Sequence, residues 1–354
     1  MKPLSVIVDC SGGVRGGIYR VLEQLEQNWN PEDSLTLIAA PEGFVPTHAR
    51  VHSYQNAGRA KTLLSASRSV AELAKKSRAD GLLSLSPSLT ASLSRVPLVT
   101  ILHDLAYLLW PAEISTSQRR YRRLAYESNL RRSGVIRCVS QRTLHDLRGQ
   151  MRWARDVAKV WPLPTPQLIA TPDESDLVRD LASAGVSRPV VVPGHSEHKG
   201  VELAIGGLAH LPPDVGMIIA TRPDLVAKFE ALASANSVGN RVHYAVGLPD
   251  AEYGALLRDS AVVAMPSHFE GLGLPVLEAR SFGARIVISP DPALLEASAG
   301  TATRMSTWTS RAFADAVSQC LEQPRPAAFD DPRSWTQAAN ELREDFLTLR
   351  SGGS

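Results

Sequence analysis

The sequence predicts an α/β protein built from two parallel-sheet domains. Three observations carry that expectation. Short apolar runs alternate with stretches of helical periodicity through both halves of the chain, the pattern of repeated strand–helix units around a parallel sheet. Polar turns containing glycine follow several of the apolar runs, where such a sheet meets its ligands. Between the two series, Trp161-Pro162-Leu163-Pro164-Thr165-Pro166 sets three prolines in alternation, a stiff extended connection.

In the first half, Leu4 to Asp9 is a short β-type run. Ser11-Gly12-Gly13-Val14-Arg15-Gly16-Gly17-Ile18 follows, then a helix with Ile18, Val21, Leu22 and Leu25 on one face. Strand, glycine turn and helix place backbone N–H groups near an anion. The same turn also forms without a ligand, and it lacks the Gly-x-Gly-x-x-Gly fingerprint of a dinucleotide site. Leu35 to Ile38 is the next strand and Lys61 to Lys75 a helix. Gly81 to Leu85 and Val96 to Leu102 read as buried strands, the second ending at His103-Asp104. A His-Asp pair past a strand's carboxyl end is placed to meet substrate. The other reading is a packed His103 and a helix cap by Asp104.

Seven arginines lie within Arg119 to Arg137, opposed only by Glu127. Tyr121, Leu124, Ala125 and Leu130 recur at helical spacing, so a basic amphipathic helix is expected. Such a helix can lie on an anionic membrane, bind an acidic acceptor, or present a solvated face. Gly134 to Ser140 is a further strand, with Ser140 placed to cap the helix Arg142 to Arg148.

Beyond the prolines, Pro189 to Pro193 is a strand, followed by Gly194-His195-Ser196-Glu197-His198-Lys199-Gly200 and a helix to His210. Met217 to Ala220, Val242 to Val246, Ala261 to Met265 and Arg285 to Ile288 are strands, with helices near Leu225 to Ala235 and Asp250 to Leu257. Trp335 to Leu349 is a closing helix with Ala338, Leu342, Phe346 and Leu349 on one face. The most informative stretch is Pro266-Ser267-His268-Phe269-Glu270-Gly271-Leu272-Gly273-Leu274-Pro275-Val276-Leu277-Glu278. It is a strand-to-helix turn whose glycines admit a ligand close to the backbone. Its helix start offers free N–H groups to an anion. Glu270 and Glu278 supply acceptors suited to sugar hydroxyls. The plainer reading has both glutamates solvated and the glycines making the turn.

Composition bounds the rest. A hydrophobic fraction of 44% and a charged fraction of 21% are those of a water-soluble globular chain. A formal net charge of +2 gives no sign of general nucleic-acid binding. Cys10, Cys138 and Cys320 are far apart, odd in number and without metal-ligand spacing, which points to reduced thiols in a cytoplasmic protein. Met1-Lys2-Pro3 runs straight into a strand, so no signal peptide is expected. No apolar run reaches the roughly 20 residues that span a bilayer.

Pro266 to Ala279 closely resembles the Glu, seven residues, Glu motif of glycosyltransferase family 4, Pro-Ser-x-x-Glu-Gly-x-Gly-Leu-Pro-x-Leu-Glu-Ala, with Leu272 where phenylalanine is commoner. Gly247 to Tyr253, Gly283, Arg285 to Ile288 and the Gly16-Gly17-Ile18 loop continue the likeness. His103-Asp104-Leu105 followed by Pro111 is similar to the branch rich in mannosyl- and rhamnosyltransferases. The resemblance is most specific over residues 244–289 and looser in the first domain.

It implies a GT-B fold, two Rossmann-like domains facing a central cleft. The expected bounds are 1–165 for an acceptor-binding domain and 166–334 for a nucleotide-sugar domain. A helix at 335–350 would cross back to the first. By the same resemblance Glu278 meets the donor's ribose, and Glu270 the transferred sugar. Backbone N–H groups at Gly271, Leu272, Gly273 and Leu274 hold sugar or diphosphate, and Lys199 neutralises the diphosphate. Gly16 and Gly17 lie near phosphates and acceptor, and His103 touches the sugar. The family commonly pairs that lysine with an arginine; here His195 or His198 stands nearby instead.

The implied reaction is retaining transfer of a hexosyl unit, mannosyl by preference, from a GDP-, UDP- or dTDP-linked sugar. The acceptor is a glycan, a lipid-linked saccharide or a small molecule. Retaining enzymes of this class have no settled protein nucleophile. No Asp-x-Asp occurs in the chain, so no metal and no separate cofactor is expected. The protein is expected to be cytoplasmic, with peripheral contact on the inner membrane face through Arg119 to Arg132. Two alternatives remain at this stage: a weakly active or inactive partner subunit of another transferase, and a phosphorylase or epimerase on the same fold.

Overall fold

A computed structural model describes residues 3–52, 70, 72–76, 78–183 and 185–351. The chain divides into two compact units, one of Met1–Pro164 with Pro332–Ser354 and one of Thr165–Asp331. The expected bounds were 165/166 and 334/335. The helix expected over Lys61 to Lys75 lies mostly outside the described residues; residues 72–76 are helical.

The first unit holds a seven-stranded sheet. Its strands are β1 (Ser5–Asp9), β2 (Ser34–Ile38), β3 (Arg50–His52), β4 (Gly81–Ser84), β5 (Leu98–Leu102), β6 (Val135–Cys138) and β7 (Ala158–Val160). They pair in parallel in the order β3-β2-β1-β4-β5-β6-β7. β4 and β5 are buried along their whole length, because helices cover both faces of a parallel sheet. The strand order reverses between β1 and β4, and a crevice opens at such a switch point beyond the carboxyl ends.

The second unit repeats the plan with six strands. They are β8 (Arg188–Pro193), β9 (Val215–Thr221), β10 (Val242–Val246), β11 (Val262–Met265), β12 (Ile286–Ile288) and β13 (Thr303–Arg304), in the order β10-β9-β8-β11-β12-β13 and again parallel. Alternate residues of each strand feed opposite cores. Val190, Val192, Met217 and Ile219 pack with Ile205, Phe229 and Phe313 on one face. Val191, Ile218 and Met265 pack with Leu256, Val276 and Leu294 on the other. Here the order reverses between β8 and β11.

The closing helix, Trp335–Ser351, belongs to the first unit. Phe346 is fully buried, and a Cβ on Gly81 would lie 2.2 Å from its ring. Leu349 excludes a Cβ from Gly134 in the same way, at 2.5 Å. Ion pairs fix the helix further: Arg343 Nε to Asp33 Oδ2 at 2.8 Å, and Arg137 Nε to Asp345 Oδ2 at 2.6 Å, both well buried. Trp161 Nε1 donates to the Ala338 carbonyl at 3.1 Å.

The arginine-rich helix spans Thr116–Arg132 and starts with a capping box between Ser115 and Gln118. Its apolar positions divide between the core and the surface. Ala125, Asn129 and Leu130 are buried, whereas Tyr121 is 45% and Leu124 60% exposed, because residues 115–124 stand clear of the core. The basic flank also narrows. Arg132 donates to the Ser94 and Val96 carbonyls, Arg131 lies 4.8 Å from the Trp153 ring centre, and Arg137 is held by Asp345. Arg119, Arg120, Arg122 and Arg123 remain exposed. Ser140 caps the next helix, Gln141–Gln150, as expected, by accepting the Thr143 N–H.

Candidate functional site

In the second unit two loops leave the sheet at its switch point. One runs from β8 through Gly194 to Gly200, the other from β11 through Pro266 to Gly273. They are pressed together where only glycine fits. Gly200 has φ +69°, and a Cβ there would sit 2.3 Å from the Pro266 carbonyl oxygen. The His268 N–H donates to the His198 carbonyl at 2.7 Å. Lys199 Nζ donates to Glu270 Oε1 at 2.7 Å, with the two side chains 16% and 8% exposed. The chain thus brings Lys199 and Glu270, 71 positions apart, into one nearly buried ion pair.

The second loop is braced from beneath and beside. The Ser267 carbonyl accepts from Ser289 Oγ at 2.5 Å and from Trp308 Nε1 at 3.0 Å. The Trp308 ring lies nearly parallel to His268, 16° apart with centroids at 6.3 Å. Gly273, at φ +90°, turns the chain into the helix Leu274–Ser281 against the Leu294 side chain. That helix has no side-chain cap. Pro275 has no N–H and the Val276 N–H donates to the Gly273 carbonyl at 2.9 Å, so the helix start offers an anion chiefly its positive dipole end. Gly271, Leu272 and Leu274 are partly buried, and Leu272 and Leu274 pack on the core beneath. Glu278 is buried within the helix.

Two histidines of these loops, His195 and His268, differ from an arginine in charge. Burial, with the Lys199 and Arg222 cations, holds the His195 imidazole below its usual range. Burial, with His198 beside it and Glu202 opposing, does the same to His268. Neither is a permanent cation at neutral pH, and arginine's charge is.

In the first unit the predicted residues sit at the carboxyl edge of the other sheet. Gly16, at φ +51°, precedes the helix Gly17–Asn28, which likewise has no side-chain cap. A Cβ on Gly12 would meet the Ser86 carbonyl at 2.4 Å, so the glycine loop lies against the end of β4. His103 follows β5, and its Nε2 lies 3.0 Å from the Leu85 carbonyl. A carbonyl only accepts, so Nε2 carries the hydrogen and Nδ1 keeps its lone pair. Burial lowers the pKa to about 4, against the opposing effects of Asp104 and Leu85. Asp104 accepts the Ala106 N–H at 2.8 Å and shapes the turn after β5.

Sequence reasoning missed two members of these clusters. Trp308 lies outside the motif, and no pattern ties it to Ser267. Asp9 is fully buried at the end of β1, hydrogen-bonded by Ser88 Oγ and by the Ser11 N–H. Burial raises its pKa despite those bonds. An acidic residue ending an apolar strand just before a glycine turn was the available signal.

Residues 189–342 match the family model described as "Glycosyl transferases group 1". Among curated relatives, the MMP alpha-(1->4)-mannosyltransferase of Mycolicibacterium hassiacum is 35% identical over 100 residues, 28% of this chain and 24% of that protein. The D-inositol 3-phosphate glycosyltransferase of Xylanimonas cellulosilytica is 25% identical over 210 residues, 54% of this chain and 49% of that protein. The aligned stretches thus span a quarter and a half of the lengths of these relatives. Anabaena HepE, solved in complex with UDP and glucose, superposes with a TM-score of 0.70 at 19% identity, covering 99% of this chain and 98% of that one. The fold is the two-domain, parallel-sheet GT-B class expected from the sequence.

Proposed function

We propose that the chain is a retaining, metal-independent glycosyltransferase that moves a hexosyl unit from a nucleoside-diphosphate sugar. The Lys199–Glu270 bridge carries this reading. It sets a cation for the diphosphate and a carboxylate for the sugar at a sheet switch point, beside an uncapped helix start. As the nucleoside diphosphate leaves the anomeric carbon, negative charge grows on the departing phosphate. In this reading Lys199 and the N–H groups of residues 271–274 receive that charge. Glu278 takes the ribose hydroxyls. In the first unit, His103 is neutral, and Nδ1 is suited to accept a hydrogen bond from a sugar hydroxyl. Gly16, with open space where a side chain would stand, and Gly17 after it begin a helix without a side-chain cap, where an anionic or hydroxylated group would sit.

A mannosyl donor is the first candidate, on the His103-Asp104 pattern and the similarity to a mannosyltransferase. UDP-glucose is the second, on the similarity to a structure containing UDP and glucose. We further propose a lipid-linked or cell-envelope acceptor, reached with the help of the exposed arginines of Thr116–Arg132. The primary test incubates the protein with UDP-, GDP- and dTDP-sugars and measures nucleoside diphosphate release or sugar transfer. One donor is expected to turn over. Lys199→Ala is expected to lower kcat/KM by about 10²–10³, the size typical of losing one preformed charge-stabilising donor. A chain inert toward the whole panel that still binds a partner transferase would overturn the reading.

A further inference from the structure

The Lys199–Glu270 pair has a cost for one class of ligand and not for another. Both groups are nearly buried, and among the described residues each is the other's ion-pair partner. A diphosphate that binds Lys199 draws it away from Glu270. If the ligand carries a sugar, hydroxyl donors can replace the ammonium on the carboxylate. If it does not, Glu270 is left as a crowded, uncompensated anion beside the phosphates. A buried charge that loses its partner is strongly unfavourable, far more so than a pair that exchanges partners.

We infer that the Glu270 carboxylate, through its pairing with Lys199, discriminates against bare nucleoside diphosphate and so favours donor over spent product. The inference rests on the glycosyltransferase reading of the site. It assigns Glu270 a role in product release as well as in holding the sugar. The bracing of its loop fits that role. Ser289, Trp308 and the His268 N–H to His198 carbonyl bond fix the loop's backbone from three sides. The backbone that carries Glu270 is thus held in place, and its carboxylate is only 8% exposed.

The test is calorimetric titration of the full chain with UDP and UDP-glucose, and with GDP and GDP-mannose. Titrations are run on the wild type and on Glu270→Gln, which keeps the shape and removes the charge. In Glu270→Gln the bare diphosphate is expected to bind about tenfold tighter, while the sugar nucleotide binds no tighter or more weakly. Glu270→Asp keeps the charge and is expected to leave the bare diphosphate no tighter than in the wild type. Equal weakening of both ligands in Glu270→Gln, or tightening of both by one factor, would overturn the inference and leave the functional reading standing. Absence of binding by all four nucleotides, and by dTDP and dTDP-glucose, in the wild type would overturn both.

Discussion

His103 takes its protonation state from its neighbours. Its Nε2–H is committed to the Leu85 carbonyl, and burial lowers its pKa to about 4. In the unfolded chain the value is about 6.5. Above pH 6.5 both states are neutral and the full stability is present. As pH falls from 6.5 towards 4 the unfolded chain takes up a proton that the folded one resists, and stability is lost. The loss approaches about 3 kcal/mol at the low end, from about 1.36 kcal/mol per unit. His103→Gln, followed by urea midpoints from pH 7 to pH 4, should flatten that acid limb. An unchanged slope would remove His103 as its source. The sequence marked His103 by its place after a strand. Its neutrality could not be read there, because burial causes it and burial depends on the elements packed around it; the Leu85 carbonyl, which fixes the tautomer, comes from the end of a different strand. Trp308 was illegible for the same reason, since it reaches Ser267 across 41 positions. Lys199 and Glu270 were legible singly through their motifs, but their pairing needed the fold.

Strand and helix existence followed the sequence well wherever apolar residues recurred with a clear period. β7 and β13 are only three and two residues long, too short to show one. The helix Thr116–Arg132 was expected to be basic and amphipathic. Of its apolar positions, Ala125 and Leu130 are buried, while Tyr121 and Leu124 are exposed among four arginines. Exposed aromatic and aliphatic groups beside cations suit the boundary between lipid headgroups and acyl chains. Replacing Arg119, Arg120, Arg122 and Arg123 by Gln should reduce co-sedimentation with vesicles containing anionic lipid. Each basic residue near such a surface contributes about 1 kcal/mol, so the four together give a large fall. Binding that is unchanged, or equal on neutral vesicles, would remove the membrane reading. Tyr121 and Leu124 to Ser should weaken the same binding with less dependence on salt.

On the scale of the whole molecule, the first unit is made of two separated stretches and the second of one. The proline run gave the outward crossing. The return at Pro332 lies at the end of a second proline-bearing stretch, Pro324, Pro326 and Pro332, and the crossing of the closing helix was expected from the family resemblance rather than from any pattern of its own. Phe346 is the centre of that return, filling the space that Gly81 leaves. Phe346→Ala should cost the first unit about 3–5 kcal/mol. In a calorimetric scan its transition should move down, while a transition raised by bound nucleotide, assigned to Thr165–Asp331, stays in place. A single transition falling as a whole would show that the units melt together. The divided unit also imposes an order on birth. As the chain emerges from the ribosome, residues up to Pro164 arrive with Asp33, Gly81 and Arg137 still waiting for the helix that completes them. All of Thr165–Asp331 must be translated first, on the order of ten seconds at the usual 5–20 residues per second. The second unit can finish folding during that interval, and the first, although begun earlier, closes last.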